Sequence, residues 1–242
     1  MRATITLLTS CILLIANGRD AAAAARKIVL PSGGQRTEAY LAEPEGEGPC
    51  PAVLFLHGGR GGIVGGDPQQ SLAALARAGY VALAPMRLKQ NTLRAEITQT
   101  RGALEYLRKL DRVDPKRVAV VGFSRGGLLA LIAAVKSPEL RAAILMAPAA
   151  GRGALSRALA AATKNTAPTL ILVSGNDSAQ ADHVEIARTI NGRLKQVGAD
   201  SQLTVYPAYR SDGHQLFFKV RATYWKDLVA FLDTHLQASK AQ

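Results

Sequence analysis

Cysteine and histidine are both scarce in this chain, whose 242 residues include two cysteines and four histidines. So few cysteines provide no disulfide framework. No C-x-x-C or H-E-x-x-H pattern occurs, and the histidines lack paired ligand spacing, so we predict that the protein holds no metal. Neither a G-x-G-x-x-G pattern nor a P-loop lysine is present, so we also predict no nucleotide cofactor.

Acidic residues are outnumbered by basic ones, because 18 Asp and Glu stand against 30 Lys and Arg, for a formal net charge of +12. Such a balance can indicate nucleic-acid binding, but the basic residues are scattered and never form a run of five. We therefore predict no specific nucleic-acid partner. A solvated basic surface that adsorbs non-specifically to anionic surfaces is the interpretation we favour.

No apolar run is long enough to span a bilayer, since the longest such segment, residues 5–16, has only 12 residues. This segment follows Arg2 and precedes an alanine run at residues 21–25, an order typical of a secretory signal peptide. We predict a signal peptide over residues 1–25, one domain over residues 26–242, and a periplasmic or secreted protein. A retained N-terminal anchor is the alternative.

Apolar runs typical of strands alternate with segments of helical spacing along the rest of the chain. The predicted strands are 27–32, 37–44, 52–58, 80–85, 117–123, 142–148, 168–175 and 201–207, and the predicted helices are 68–80, 91–110, 125–137, 153–164, 179–198 and 220–237. This alternation predicts an α/β fold: a mostly parallel sheet covered by helices on both faces, with an antiparallel N-terminal edge hairpin. No connection is long enough to form a separate lid domain.

The stretch "GFSRG" places Ser124 between two glycines where a predicted strand meets a predicted helix. A sharp turn there would hold the serine in a strained conformation and expose its hydroxyl above the sheet. The amides at the start of the following helix would point to the same place, which favours a negatively charged oxygen there. A glycine-rich turn with an incidental serine is the alternative.

A serine nucleophile needs a histidine base, and His214 is the best placed of the four. It lies in the loop after the last predicted strand, from which it can reach Ser124. We expect His57 to support its own turn through hydrogen bonds, and His183 and His235 to be surface residues of predicted helices.

The acid that orients such a histidine is predicted to be Asp177, which directly follows the strand "TLILVSG". Asp182 is the second choice, because it lies inside the next predicted helix. The order Ser124, Asp177, His214 is the order of α/β-hydrolases. In this mechanism two backbone amides hold the oxyanion, and we predict those of Gly59 and Arg125.

With these residues in place, the chain resembles a secreted α/β-hydrolase of the dienelactone hydrolase family. The resemblance rests on "AVLFLHGGRGG", "LARAGYVALAP", "VDPKRVAVVGFSRGGLLAL", "SGNDS" and "DGHQLFF". It implies an α/β-hydrolase catalytic domain that cleaves small carboxylic esters or lactones through an acyl-enzyme on Ser124. Two departures argue against dienelactone itself as the substrate: the family's cysteine nucleophile is replaced by Ser124, and no arginine closely follows His214.

Several arginines lie near the predicted mouth of the site. As substrate contacts for an anionic ester we name Arg60, Arg87 and Arg210, although solvent-facing roles are the favoured interpretation, and the Arg125 side chain is expected to pack along its helix.

Two other functions fit the same fold. A small serine peptidase of the prolyl-oligopeptidase type shares this core, although the usual extra N-terminal domain has no counterpart here. A non-catalytic binding protein is the second alternative.

Overall fold

The structure is a computed structural model that describes residues 24–32, 35–59, 66–87 and 92–236. Most of the predicted signal peptide lies outside these residues, so export stays a prediction. None of the described helices is both long and apolar enough to cross a membrane.

Eight strands form one sheet. They are β1 (Arg26–Ser32), β2 (Gln35–Ala42), β3 (Cys50–Leu56), β4 (Val81–Pro85), β5 (Val113–Phe123), β6 (Ala142–Met146), β7 (Thr169–Ser174) and β8 (Ser201–Tyr206). Their order across the sheet is β1-β2-β4-β3-β5-β6-β7-β8. Strand β2 pairs antiparallel with both β1 and β4, and every pair from β4 to β8 is parallel. The predicted α/β sheet with an antiparallel N-terminal edge is confirmed.

Helices cover both faces of the sheet. They are α1 (Pro68–Arg77), α2 (Leu93–Leu107), α3 (Arg125–Lys136), α4 (Ala154–Ala161), α5 (His183–Gln196) and α6 (Ala222–Leu236). Helices α1 and α6 pack on one face, and α2 to α5 pack on the other. A hydrophobic core lies on each face of the sheet, and alternate residues of β3 contribute to each. Val53 and Phe55 face α1 and α6, whereas Leu54 faces the layer of α2 to α5. Because both faces are buried, these central strands are apolar throughout.

Two local features differ from the sequence-based expectation. Strand β5 begins at Val113 rather than at residue 117, because Val113 pairs with Cys50 ahead of an irregularity in the ladder. A short 3₁₀ helix, Gly213–Phe217, follows β8 where only a loop was predicted. Asp212 caps it by accepting a hydrogen bond from the His214 amide, at 3.0 Å. The position of His214 is therefore set by a helical turn.

Candidate active site

The turn between β5 and α3 holds Ser124 in a strained backbone conformation, with φ 51° and ψ −111°. Backbone hydrogen bonds maintain the strain: the Ser124 amide donates to Met146 in β6 at 2.8 Å, and its carbonyl accepts from Ala149 at 3.0 Å. A side chain at Gly122 would overlap the Gly126 carbonyl, and one at Gly126 would overlap the Leu56 carbonyl of β3. Both glycines therefore let the helix start directly against the sheet, as the turn prediction required.

Asp177 and His214 form a buried pair beside this turn. The Nδ1 atom of His214 lies 2.9 and 3.0 Å from the two carboxylate oxygens of Asp177. Asp177 is 1% exposed and His214 is 3% exposed. Since a carboxylate only accepts hydrogen bonds, Nδ1 carries the proton and Nε2 is left as an acceptor. The ring of Phe123 packs against the imidazole with 4.7 Å between ring centroids.

Ser124, His214, Gly59 and Arg125 all line one cavity of about 480 Å³ at the carboxyl ends of the strands. The structure thus brings together the predicted nucleophile, base and oxyanion-binding segments, with Asp177 buried directly behind the base. Among the described residues no hydrogen bond joins the Ser124 hydroxyl to His214, and such contacts commonly tighten only when substrate binds. The cavity is also lined by residues that were not predicted to belong to the site: Ala149, Ala150, Gly151, Arg152, Gln180, Ala181 and His183.

His183 is not the surface residue that was predicted, because its side chain is 3% exposed and lies beside the Asp177–His214 pair. It is the first residue of α5, and this end of the helix points to the carboxyl edge of the sheet. Its Nδ1 lies 3.2 Å from the Pro148 carbonyl, and its ring centroid lies 4.6 Å from that of His214. Burial lowers the pKa of His183, which favours the neutral ring.

The alternative acid, Asp182, has a structural role: its exposed carboxylate caps α5 by accepting from the Glu185 amide at 2.9 Å. The remaining histidine, His235, is half-buried in the last turn of α6, where its ring packs against Phe231.

Asp177, His183 and His214 are the one group of described residues whose donor atoms could hold a metal ion, since these atoms all lie within 4.8 Å of one another. The hydrogen bonds between His214 Nδ1 and the carboxylate already account for the close approach of two of them. The absence of a metal requirement stays a prediction.

His57 supports its own turn, as expected. Its Nε2 accepts a hydrogen bond from the Arg87 amide at 3.3 Å, so Nδ1 carries the proton of the neutral ring. Nδ1 donates this proton to the Gly58 carbonyl oxygen at 2.7 Å. Burial, followed by the positive charge of Arg87, lowers the pKa of His57 from 6.5 to about 4.

This lowered pKa makes stability depend on pH. The folded state keeps His57 neutral. The contribution of this neutral histidine to the free energy of unfolding is therefore complete above pH 6.5 and is lost as the pH falls towards about 4. We expect the free energy of unfolding to fall by about 2 kcal/mol more between pH 7.5 and pH 5 in the wild type than in His57→Gln. Urea denaturation at the two pH values measures this difference, and parallel pH profiles for the two proteins would contradict it.

The three arginines named as substrate contacts have different surroundings. Arg87 is buried and hydrogen-bonded within the protein. It neither lines the described cavity nor faces solvent, so both expectations for this residue were wrong. Arg210 is exposed, and its guanidinium lies 5.3 Å from the centroid of the Tyr209 ring. Arg60 lies outside the described residues.

The side chain of Arg125 also has a partner that was not predicted. Its Nη2 lies 2.7 Å from Oε2 of Glu96, a residue of α2 whose side chain is 1% exposed. The same carboxylate lies 3.7 Å from Arg87 Nε. A glutamate in a long helix carries no sequence signal that would distinguish it from a solvent-facing one.

Comparison with known proteins supports the class that this geometry indicates. A protein of Yersinia pestis named "Putative carboxymethylenebutenolidase" is 29% identical over 220 residues, covering 81% of this chain and 79% of the relative. The thermophilic carboxylesterase EstE1, cloned from a metagenomic library, is 17% identical, with a TM-score of 0.73 and coverage of 88% and 90%. An acylaminoacyl peptidase of Pyrococcus horikoshii is 16% identical with a TM-score of 0.72, over 90% of this chain and 42% of that protein.

The sheet order and the strand-end site, together with these structural neighbours, define an α/β-hydrolase. The model of the dienelactone hydrolase family matches residues 86–236, which is more than half of the chain. The chain belongs to this family, and it is a hydrolase of the ester and lactone type.

Proposed function

We propose that this protein is a serine hydrolase that cleaves small carboxylic esters or lactones through an acyl-enzyme on Ser124. The observation that carries the proposal is that the buried Asp177–His214 pair and the strained Ser124 turn meet at one cavity. A binding protein would need a cavity, but it would have no use for a buried carboxylate–imidazole pair beside a half-buried serine that lines it.

Each group has a definite task in the proposed reaction. Nε2 of His214 takes the proton of the Ser124 hydroxyl as its oxygen attacks the ester carbonyl, and Asp177 stabilises the imidazolium. The proton then passes to the departing alkoxide, which leaves as the alcohol. Water enters and attacks the acyl carbon while His214 takes its proton; the bond to Ser124 then breaks, the acid leaves, and His214 returns the proton to the Ser124 oxygen.

The oxyanion of the tetrahedral intermediates would be held by the backbone amides of Gly59 and Arg125. Both residues line the cavity on either side of Ser124, and Arg125 is the first residue of α3. The amides at a helix N-terminus carry a partial positive charge, which favours an oxyanion there.

A fluorophosphonate probe tests the nucleophile directly, because it phosphonylates only an activated serine. We expect one adduct per chain, located on the peptide that contains Ser124 by mass spectrometry, and no adduct in Ser124→Ala. The Asp177→Asn variant should react more slowly, since the wrong histidine tautomer is then favoured. A folded wild-type protein that is not labelled would contradict the proposal.

The choice between an esterase and a peptidase needs a matched substrate pair. We expect hydrolysis of 4-nitrophenyl acetate and butyrate, and negligible hydrolysis of 4-nitroanilides with the same acyl groups. Comparable kcat/KM values for the ester and the anilide would favour the peptidase alternative.

A further inference from the structure

A buried carboxylate between two arginines lies beside the cavity, and the proposed triad does not explain it. The side chain of Glu96 is 1% exposed, that of Arg87 is 3% exposed and that of Arg125 is 12% exposed. Removing three charges from water costs several kcal/mol for each ion before their mutual attraction is counted. A hydrophobic cluster of similar volume would therefore serve stability alone at least as well.

Arg87 connects this cluster to the loop after β3. Its Nη2 donates to the carbonyl of Gly58 at 2.7 Å and to the carbonyl of Gly59 at 2.5 Å. The Gly58 carbonyl also accepts a hydrogen bond from His57 Nδ1 at 2.7 Å. Two buried donors on one carbonyl oxygen determine the orientation of that peptide plane.

The orientation matters because Gly58 O and the Gly59 amide belong to the same peptide unit. In a trans peptide the carbonyl and the N–H point in opposite directions. Arg87 and His57 hold the carbonyl on the buried side, so the N–H of Gly59 is directed to the other side. Gly59 lines the cavity that contains Ser124, so we infer that this N–H is directed into the cavity, where the oxyanion would form.

Glu96 connects the same cluster to the nucleophile turn. One carboxylate oxygen accepts from Nε of Arg125 at 2.8 Å and lies 2.7 Å from its Nη2. The other oxygen faces Arg87. The backbone amide of Arg125 is the second proposed oxyanion donor. The buried carboxylate of Glu96 therefore lies next to the side chain of Arg125 itself and to that of Arg87, which bonds the loop of Gly59.

We propose that Arg87, held by Glu96, is a positioning residue that aims the Gly59 amide at the oxyanion, and that Glu96 fixes this loop relative to the turn that carries Arg125. This inference rests on the proposed serine mechanism. Arginine suits the task because Nη2 can bond the two carbonyl oxygens while Nε stays paired with the carboxylate at 3.7 Å, beyond hydrogen-bond distance, whereas lysine presents a single point charge.

The test compares Arg87→Met and Arg87→Lys with a matched control, Arg101→Met. Arg101 lies on the same helix as Glu96, but its side chain is 74% exposed and, among the described residues, its ion pair is with Glu105. We expect kcat for 4-nitrophenyl butyrate to fall about 10- to 100-fold in Arg87→Met, somewhat less than when an oxyanion donor is lost outright. KM should change less than about threefold, and Arg87→Lys should be intermediate, since it keeps the charge but loses the fork.

A trifluoromethyl ketone provides a readout that a merely structural role would not change. Ser124 adds to its carbonyl and forms a hemiketal oxyanion, so its affinity reports oxyanion stabilisation directly. We expect the inhibition constant to rise in Arg87→Met by the same factor by which kcat falls, and to be unchanged in Arg101→Met. Near-UV circular dichroism and thermal unfolding show whether each variant is folded.

The outcomes separate this inference from the proposed function. If the wild type is labelled on Ser124 and hydrolyses esters, but a folded Arg87 variant keeps wild-type kcat and inhibitor affinity, the positioning role is wrong and the serine mechanism stands. Failure of both Arg87 variants to fold would assign the cluster to stability and would also overturn the inference. A wild type that is neither labelled nor active would remove the proposed function itself.

Discussion

Replacing His214 with alanine should lower kcat for ester hydrolysis by a factor on the order of 10⁴ to 10⁶, because His214 is the group proposed to take the proton of Ser124. In the neutral ring Nε2 is the acceptor, since Nδ1 donates to Asp177 at 2.9 Å. The substitution leaves the buried Asp177 without this partner, so thermal unfolding is measured in parallel to show that the variant is folded. Steady-state kinetics with 4-nitrophenyl butyrate measure the loss.

The neighbouring histidine is the matched control for this substitution. His183 is equally buried, but its Nε2 lies 3.9 Å from Asp177 and its Nδ1 faces the Pro148 carbonyl. We therefore expect His183→Asn to lower kcat less than about tenfold, in contrast to the loss of a triad histidine. The assignment of His214 as the base would be wrong if the two variants lost activity equally, or if His183→Asn lost more.

Replacing Gly126 with alanine should destabilise the fold by about 3 kcal/mol or more, because the added Cβ atom would overlap neighbouring backbone atoms. It would overlap the carbonyl oxygen of Leu56 at the end of β3, and the His57 carbonyl lies close by. Neither α3 nor β3 can move away easily, since β3 lies in the centre of the sheet and α3 is buried against it. Urea denaturation compared with the wild type gives the difference in free energy of unfolding.

Gly192 provides the matched control, since it lies in the middle of α5 with nothing within 4 Å of the place where a side-chain carbon would stand. Gly192→Ala should raise the free energy of unfolding by about 0.5–1 kcal/mol, because alanine is the better helix former. An equal effect of both substitutions would show that the close approach of α3 to β3 does not determine stability.

The proposed triad was accessible from the sequence because each member follows a strand. Parallel strands end at one edge of the sheet, so Ser124 after β5 and Asp177 after β7 were expected to meet there. His214 was harder to place, since the 3₁₀ helix that carries it has no clear apolar period. Its assignment depended on the small number of histidines and on the chain order of the three residues.

The surroundings of the triad were not accessible, because they depend on three-dimensional packing. His183 stands at the first position of a helix, where spacing does not reveal that the ring turns back towards the strand ends. The buried position of Glu96 was hidden for a similar reason, since arginines from two other segments compensate its charge. Pattern analysis treats polar residues as exposed by default, and it therefore fails where charges are buried together.

The order of the strands has a consequence for how this scaffold can diverge. In the proposed mechanism, the groups that transfer protons follow strands in the half of the sheet from β5 to β8. Strand β3 is followed by the loop of Gly59 and strand β4 by Arg87, and both are proposed to help bind the oxyanion. The two halves meet at the turn of Ser124 and Arg125, where the Arg125 amide is the second proposed oxyanion donor. Substitutions after β3 and β4 can therefore change how strongly the oxyanion is stabilised while the serine, histidine and aspartate keep their geometry.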